Sequence, residues 1–163
     1  MVTALTVGRY QPLHIGHVKA LEYVMTRADK VIVAVGSSNE SFTVENPFTF
    51  EERAEMIRKT FGVGSYEVYA VPDIYDEEKW VAHVLKIVPE FDLVYTNGRR
   101  EMRLFRQAGI VVKEIPFFSR RVYSATEVRK RIRDDKDWRE LLPVGTLSVL
   151  EAVDGIRRIR SLK

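Results

Sequence analysis

The chain has 163 residues, 45% of them hydrophobic and 30% charged, with a formal net charge of +3 and no cysteine. That is enough for one ordinary domain with a real core, and it excludes a disordered chain, a disulfide scaffold and a thiolate metal site. No apolar run approaches the roughly 20 residues a membrane helix needs, and MVTALTVGRY lacks the basic start and long apolar core of a secretion signal, so a soluble cytoplasmic protein is expected.

In chain order, ALTVG (4–8) reads as a first strand, and HVKALEYVMTRA as a helix with Val18, Leu21, Val24, Met25 and Ala28 at helical spacing. VIVAVG (31–36) is a second strand and FTFEERAEMIRKTF a second helix. YEVYAV (66–71) and EKWVAHVLKIV repeat the pattern. LVYTN (93–97), a short helix over Arg103–Gln107 and VVKEIP (111–116) complete it. The strands are continuously apolar rather than alternating, which implies burial on both faces in a parallel sheet. The order β-α-β-α-β-α-β-α-β predicts an α/β fold with a Rossmann-like, doubly wound, five-stranded parallel sheet. From Thr126 onward no strand is evident. TEVRKRIRDD, DWRELL and VGTLSVLEAV read as consecutive helices, with Pro143 in the first turn of the last and Gly155 as its stop. The expectation is a single domain, 1–163, with an α/β core over 1–125 and a helical C-terminal part over 126–163. Residues 120–163 hold 12 Lys/Arg against 7 Asp/Glu, whereas 1–119 hold 14 against 16. A basic C-terminal quarter fits either an anionic partner or a plain solvated helix surface.

The connection after the first strand, GRYQPLHIGH (8–17), carries the chemistry. In an open parallel sheet, ligands lie beyond the carboxyl ends of the strands, where the connections diverge. Gly16 permits close backbone approach, and the following helix offers free N–H groups and a positive dipole end, the combination that binds phosphate. His14 and His17 can both face an anion and donate N–H groups, and Arg9 adds a fork of donors. Such groups suit a phosphoryl transition state, in which negative charge builds on oxygen. His14 could instead simply cap the helix, but Arg, Gln, Pro, His, Gly and His together at a strand–helix junction favour a functional site. Zinc is disfavoured, because there is no cysteine and the third histidine, His83, falls on a distant helix.

RRVYSATEVRKRI (120–132) supplies a second helix start. Ser124 and Glu127 stand in capping-box register, and the hydroxyls and N–H groups there, with Arg129 reaching across, form a second candidate phosphate cradle.

Taken together, the two stretches resemble the nucleotidyltransferase superfamily with HxGH and SxTxxR signatures. Within it the chain is most similar to archaeal-type nicotinamide-nucleotide adenylyltransferases, through NPFTFEER (46–53), PDIYDEEKWVAHV (72–84), FDLVYTN (91–97) and DWRELLP (137–143). The resemblance implies transfer of AMP from ATP to nicotinamide mononucleotide (NMN), giving NAD and pyrophosphate, with Mg²⁺ bridged by substrate phosphates and no protein metal ligand. It implies catalytic roles for His14, His17, Arg9 and Arg129. It implies ATP contacts from Gly8, Tyr10, Gln11, Gly16, Asn97, Arg120, Tyr123, Ser124 and Thr126. Asp73, Ile74 and Trp80 would border the nicotinamide ring, although Trp80 also fits a core position. Nicotinic acid mononucleotide is a further candidate acceptor. A homo-oligomer, a hexamer by resemblance, is expected, acting on small-molecule nucleotides without membrane or nucleic acid.

The chain departs from the family in two places. TNGRRE stands where a Ser-Gly-Asn-Pro-like turn is common, and Phe42 in GSSNESF replaces a histidine; both changes bear on base and acceptor preference. The spelling HIGH also occurs in class I aminoacyl-tRNA synthetases, but a KMSKS loop and room for an anticodon-binding region are missing. Phosphopantetheine, FMN or a cytidylyl-transfer acceptor would keep the chemistry, but Arg9 and Gln11 favour the nicotinamide branch. A nucleotide-sensing or nucleic-acid-binding module would need aromatics interleaved with the basic residues, and the tail offers only Tyr123 and Trp138.

Overall fold

In the computed structural model, which describes all residues 1–163, side chains along each inner strand alternate between two apolar layers. The strands are β1 (Thr3–Gly8), β2 (Lys30–Val35), β3 (Tyr66–Ala70), β4 (Leu93–Thr96) and β5 (Val112–Glu114). They form one parallel sheet in the order β3-β2-β1-β4-β5. Ala4, Val31, Val33, Val35, Leu93 and Tyr95 face one layer, whereas Leu5, Ile32, Ala34 and Val94 face the other. Both faces are therefore covered, which is why β1, β2 and β4 read as unbroken apolar runs.

Helices α1 (Ile15–Met25) and α2 (Phe50–Phe61) pack into the first layer, and α3 (Glu77–Ile87) and α4 (Arg99–Gln107) into the second. The winding reverses between β1 and β4, so the crevice above their carboxyl ends is the topological switch point. The C-terminal helices α5 (Ala125–Arg133), α6 (Val144–Ala152) and α7 (Gly155–Ser161) join the first layer through Val128, Ile132, Val149, Leu150 and Ile159.

Several local expectations are corrected. β5 is only three residues long and, like β3, is an edge strand with its side chains largely outside the core. α4 begins at Arg99 rather than Arg103. DWRELL forms one 3₁₀ turn, Arg139–Leu141, and Pro143 is the N-cap of α6 rather than part of its first turn. Gly155 does not end the helical region but opens α7. A Cβ there would come within 2.6 Å of Leu150 and 3.0 Å of Phe48, so its smallness serves packing.

Candidate active site

The His14–His17 turn is built from the local sequence outward. His14, in extended conformation, is the N-cap of α1, and its Nδ1 accepts from the backbone N–H of His17 at 3.3 Å. His17 returns the favour, its Nδ1 accepting from the backbone N–H of His14 at 3.2 Å. The pair forms a capping box made of imidazoles, with the rings stacked at 3.6 Å between centroids. Capping and function are thus not alternatives. With both Nδ1 atoms accepting, each ring carries its proton on Nε2, and both Nε2–H groups remain as donors.

Burial lowers the pKa of His14 to about 4, and burial with the neighbouring His14 charge lowers that of His17 well below the ordinary value. Both rings are neutral at physiological pH. Between pH 6.5 and about 4 the unfolded chain binds protons that the folded one excludes, so this contribution to stability is complete above about pH 6.5 and is lost as the pH falls through the window. Thermal melts of the ligand-free protein should therefore show a melting temperature declining from pH 7 to pH 4.5. That decline should be shallower in His17→Asn; an identical slope in both proteins would contradict the assignment.

Three long-range hydrogen bonds grip the carbonyls of this turn. Arg53 of α2 donates from Nη1 to the Arg9 carbonyl at 3.0 Å, Arg129 of α5 to that of Gln11 at 2.9 Å, and Thr146 of α6 to that of Leu13 at 2.8 Å. Gln11, fully buried, uses both ends of its amide on the backbone of Phe48, at 2.9 Å each. The Gln11 side chain is thereby a strut for the turn, its amide already occupied by Phe48. Arg53 also holds the carbonyls of Thr49, Gly36 and Ser37, so a single guanidinium ties the ends of β1 and β2 together. Sequence reasoning missed Arg53, Phe48 and Thr146, because their effect is on backbone far away in the chain.

Two cavities open at the switch point. The first, about 270 Å³, is lined by Tyr10, His14, Gly16, His17, Arg120, Tyr123 and Ser124, with Ile115, Phe117 and Phe118 as an apolar wall. The second, about 770 Å³, takes Arg9, Asp73, Ile74 and Trp80, together with Ser37, Arg100 and Glu101. Val7, Gly8, Thr96 and Asn97 line both, so the cavities meet over the ends of β1 and β4.

Of the residues expected at the site, Gln11, Thr126 and Arg129 line neither cavity. The Thr126 side chain is exposed. Arg129 is buried behind the turn, with its Nε–H unpartnered. Burial, reinforced by the charges of Arg133 and Arg9, lowers its pKa to about 10, which leaves it charged at neutral pH. Ser124 caps α5 by accepting from the Glu127 N–H at 3.1 Å, but the Glu127 carboxylate turns to Arg131 rather than closing the expected capping box. Tyr10, with φ of 53°, lays its ring edge-on to His17 at 4.8 Å, and burial raises its hydroxyl pKa, so it is no base. Trp80 is 6% exposed and packs edge-on to Phe105, so it is a core residue as well as a cavity wall.

Paired cavities at a switch point, one fronted by a helix start with two neutral N–H donors, define a nucleotide-handling α/β protein, and the cytidylyltransferase-like family matches residues 5–131. A nicotinamide-nucleotide adenylyltransferase of Methanolobus tindarius is 36% identical over 99% of this chain and 95% of its own. One from Thermococcus sibiricus is 41% identical over 97% of this chain and 88% of its own. The chain belongs to the cytidylyltransferase-like family and, within it, to the nicotinamide-nucleotide adenylyltransferases. The same fold occurs in a bifunctional NMN adenylyltransferase/ADP ribose pyrophosphatase from Francisella tularensis complexed with AMP and a manganese ion, with a TM-score of 0.77 at 19% identity. The match covers 99% of this chain and 52% of that one, so the chain spans about half the length of that structure. No helix is long and apolar enough to cross a membrane.

Proposed function

We propose that the enzyme transfers AMP from ATP to NMN, giving NAD and pyrophosphate. The observation that carries this reading is the meeting of the two cavities over Gly8 and Asn97, with the histidine pair in the wall of the first. ATP occupies the first cavity, its base against Ile115, Phe117 and Phe118 and its phosphates over the starts of α1 and α5. NMN occupies the second, its ring between the Asp73–Ile74 segment and Trp80, and its phosphate toward Arg9.

An oxygen of the NMN phosphate forms a bond to the α-phosphorus of ATP as the bond from that phosphorus to the α,β-bridging oxygen breaks. Pyrophosphate leaves with the electron pair. The attacking phosphate is already ionised, so no protein base is needed, and the protein acts by positioning and charge stabilisation. The Nε2–H groups of His14 and His17 donate to the phosphate oxygens on which charge develops. Arg9, Arg120 and, from behind the turn, Arg129 supply positive potential. The groups facing the phosphates are N–H, hydroxyl and guanidinium donors, chemistry suited to phosphate oxygens rather than to a metal cage. A divalent ion, Mg²⁺ in our reading, would enter with the substrate phosphates and would supply neutralisation of the charge on the leaving group. The α/β core and the C-terminal helices act as one catalytic domain, in a cytoplasmic homo-oligomer.

A turnover assay with ATP, Mg²⁺ and, separately, NMN, nicotinic acid mononucleotide, FMN and phosphopantetheine tests the assignment. NAD and pyrophosphate are expected from NMN; the absence of pyrophosphate with every acceptor would contradict it. A methyl group at Gly16 tests the preorganisation of the turn. Its Cβ would sit 2.8 Å from the Tyr123 Cβ and 2.9 Å from the His14 ring, displacing the imidazole. Gly16→Ala is expected to lower kcat about 100-fold, the scale of a displaced catalytic group. A fully active variant would mean that the placement of His14 is not critical.

A further inference from the structure

The acceptor cavity contains a cation that the reaction as described does not use. Arg100, the second residue of α4, holds its guanidinium 4.8 Å from the centroid of the Trp80 ring. Trp80 is packed on another side by Phe105, so its cavity-facing surface is where a planar ligand would lie, and the guanidinium is over it. The ion partner of Arg100 is its chain neighbour Glu101, at 3.4 Å, and the Arg100 side chain is 45% exposed. Of the other carboxylates of this wall, Asp76 caps α3 through the Lys79 N–H and Glu77 pairs with Arg103, while Asp73 lines the same cavity without an ion-pair partner. Arg100 is thus paired only with its chain neighbour, and its guanidinium lies over the aromatic face of the cavity.

We propose that Arg100 is a specificity-determining residue, which reads the 3-substituent of the acceptor's pyridine ring and favours a carboxylate over a carboxamide there. The inference rests on the adenylyl-transfer reading above. The nicotinamide ring is a pyridinium with a neutral carboxamide, a net cation, and it competes with the guanidinium for one π-face. The nicotinate ring carries the same pyridinium and a carboxylate, so its net charge is zero. Its two carboxylate oxygens match the paired N–H groups of an arginine. The TNGRRE turn, one of the two places where the chain departs from its family's pattern, is thereby given a role.

The test compares kcat/KM for the two acceptors, at saturating ATP and Mg²⁺, in the parent enzyme, Arg100→Gln and Arg100→Lys. In Arg100→Gln the nicotinate-to-nicotinamide ratio should fall about tenfold, the scale of one charge-assisted hydrogen bond, mainly through KM for the nicotinate acceptor. Arg100→Lys, which keeps the charge without the planar fork, should fall between the two. A ratio identical in all three proteins would overturn the proposal. If the parent itself turns over neither acceptor, the adenylyl-transfer reading fails first and this inference with it, an outcome the parent assay alone decides.

Discussion

His17→Asn is expected to lower kcat by about 10²–10³-fold, the range for removing one preorganised donor to a developing oxyanion, while leaving the melting temperature close to that of the parent. The reason is the division of labour within the ring. Nδ1 of His17 accepts from the His14 N–H, and Nε2 is left for the phosphates. The asparagine Oδ1 takes the place of Nδ1, so the cap survives and only the donor is lost. His17→Gln reverses the experiment: its amide nitrogen reaches toward the position of Nε2, while the cap is broken. This variant should keep more activity and lose about 1 kcal/mol of stability, a typical capping loss. Steady-state pyrophosphate release and thermal melts on the two variants separate the roles. If both lose activity and stability in parallel, the imidazole is a structural cap alone.

Arg53→Ala is expected to destabilise the protein by about 2–4 kcal/mol, the scale of losing a charged donor's hydrogen bonds to several carbonyls together with its packing. The guanidinium is fully buried and forms no salt bridge; burial, and then the charge of Arg9, lowers its pKa to about 10 against the opposing pull of Glu51, Asp73 and Glu52, and it stays cationic at neutral pH. Its charge is carried by four carbonyl oxygens, of Thr49, Arg9, Gly36 and Ser37, at 2.9 to 3.1 Å. Alanine would leave those four carbonyls without their donor. Because such a protein could fail to fold, Arg53→Lys is the more informative variant. A single ammonium cannot span the carbonyls that a planar fork reaches. Arg53→Lys should fold with reduced stability in urea and raise KM for the acceptor more than it lowers kcat, since Arg9 and Ser37 both line the acceptor cavity. Unchanged stability and KM would show that the strand ends hold their positions without it.

Much of this architecture was legible in the sequence wherever local physics decides. The inner strands were visible because both faces of β1, β2 and β4 are buried, which forces continuous apolar runs. β5 was overestimated because an edge strand packs fewer of its side chains, and its boundary leaves little trace. α7 went unseen because GIRRIRS offers only Ile156 and Ile159 as apolar markers and begins with a glycine, which read as a stop. The His14–His17 turn was legible as a candidate site because its residues are contiguous and chemically unusual. What supports it was not. The bonds from Arg53, Arg129 and Thr146 reach across 44, 118 and 133 positions. Gln11 has the donors of a phosphate ligand, but only the fold reveals that Phe48 uses them.

The central claim is that neutral His14 and His17 act as hydrogen-bond donors to a direct phosphoryl transfer, not as nucleophiles. The most direct test is the stereochemistry at phosphorus, with ATP made chiral at the α-position by sulfur substitution and the configuration of the thio-NAD product determined. A single in-line displacement inverts the configuration, and inversion is the result predicted here. Net retention would signal two successive displacements through an adenylylated residue, and would contradict the account.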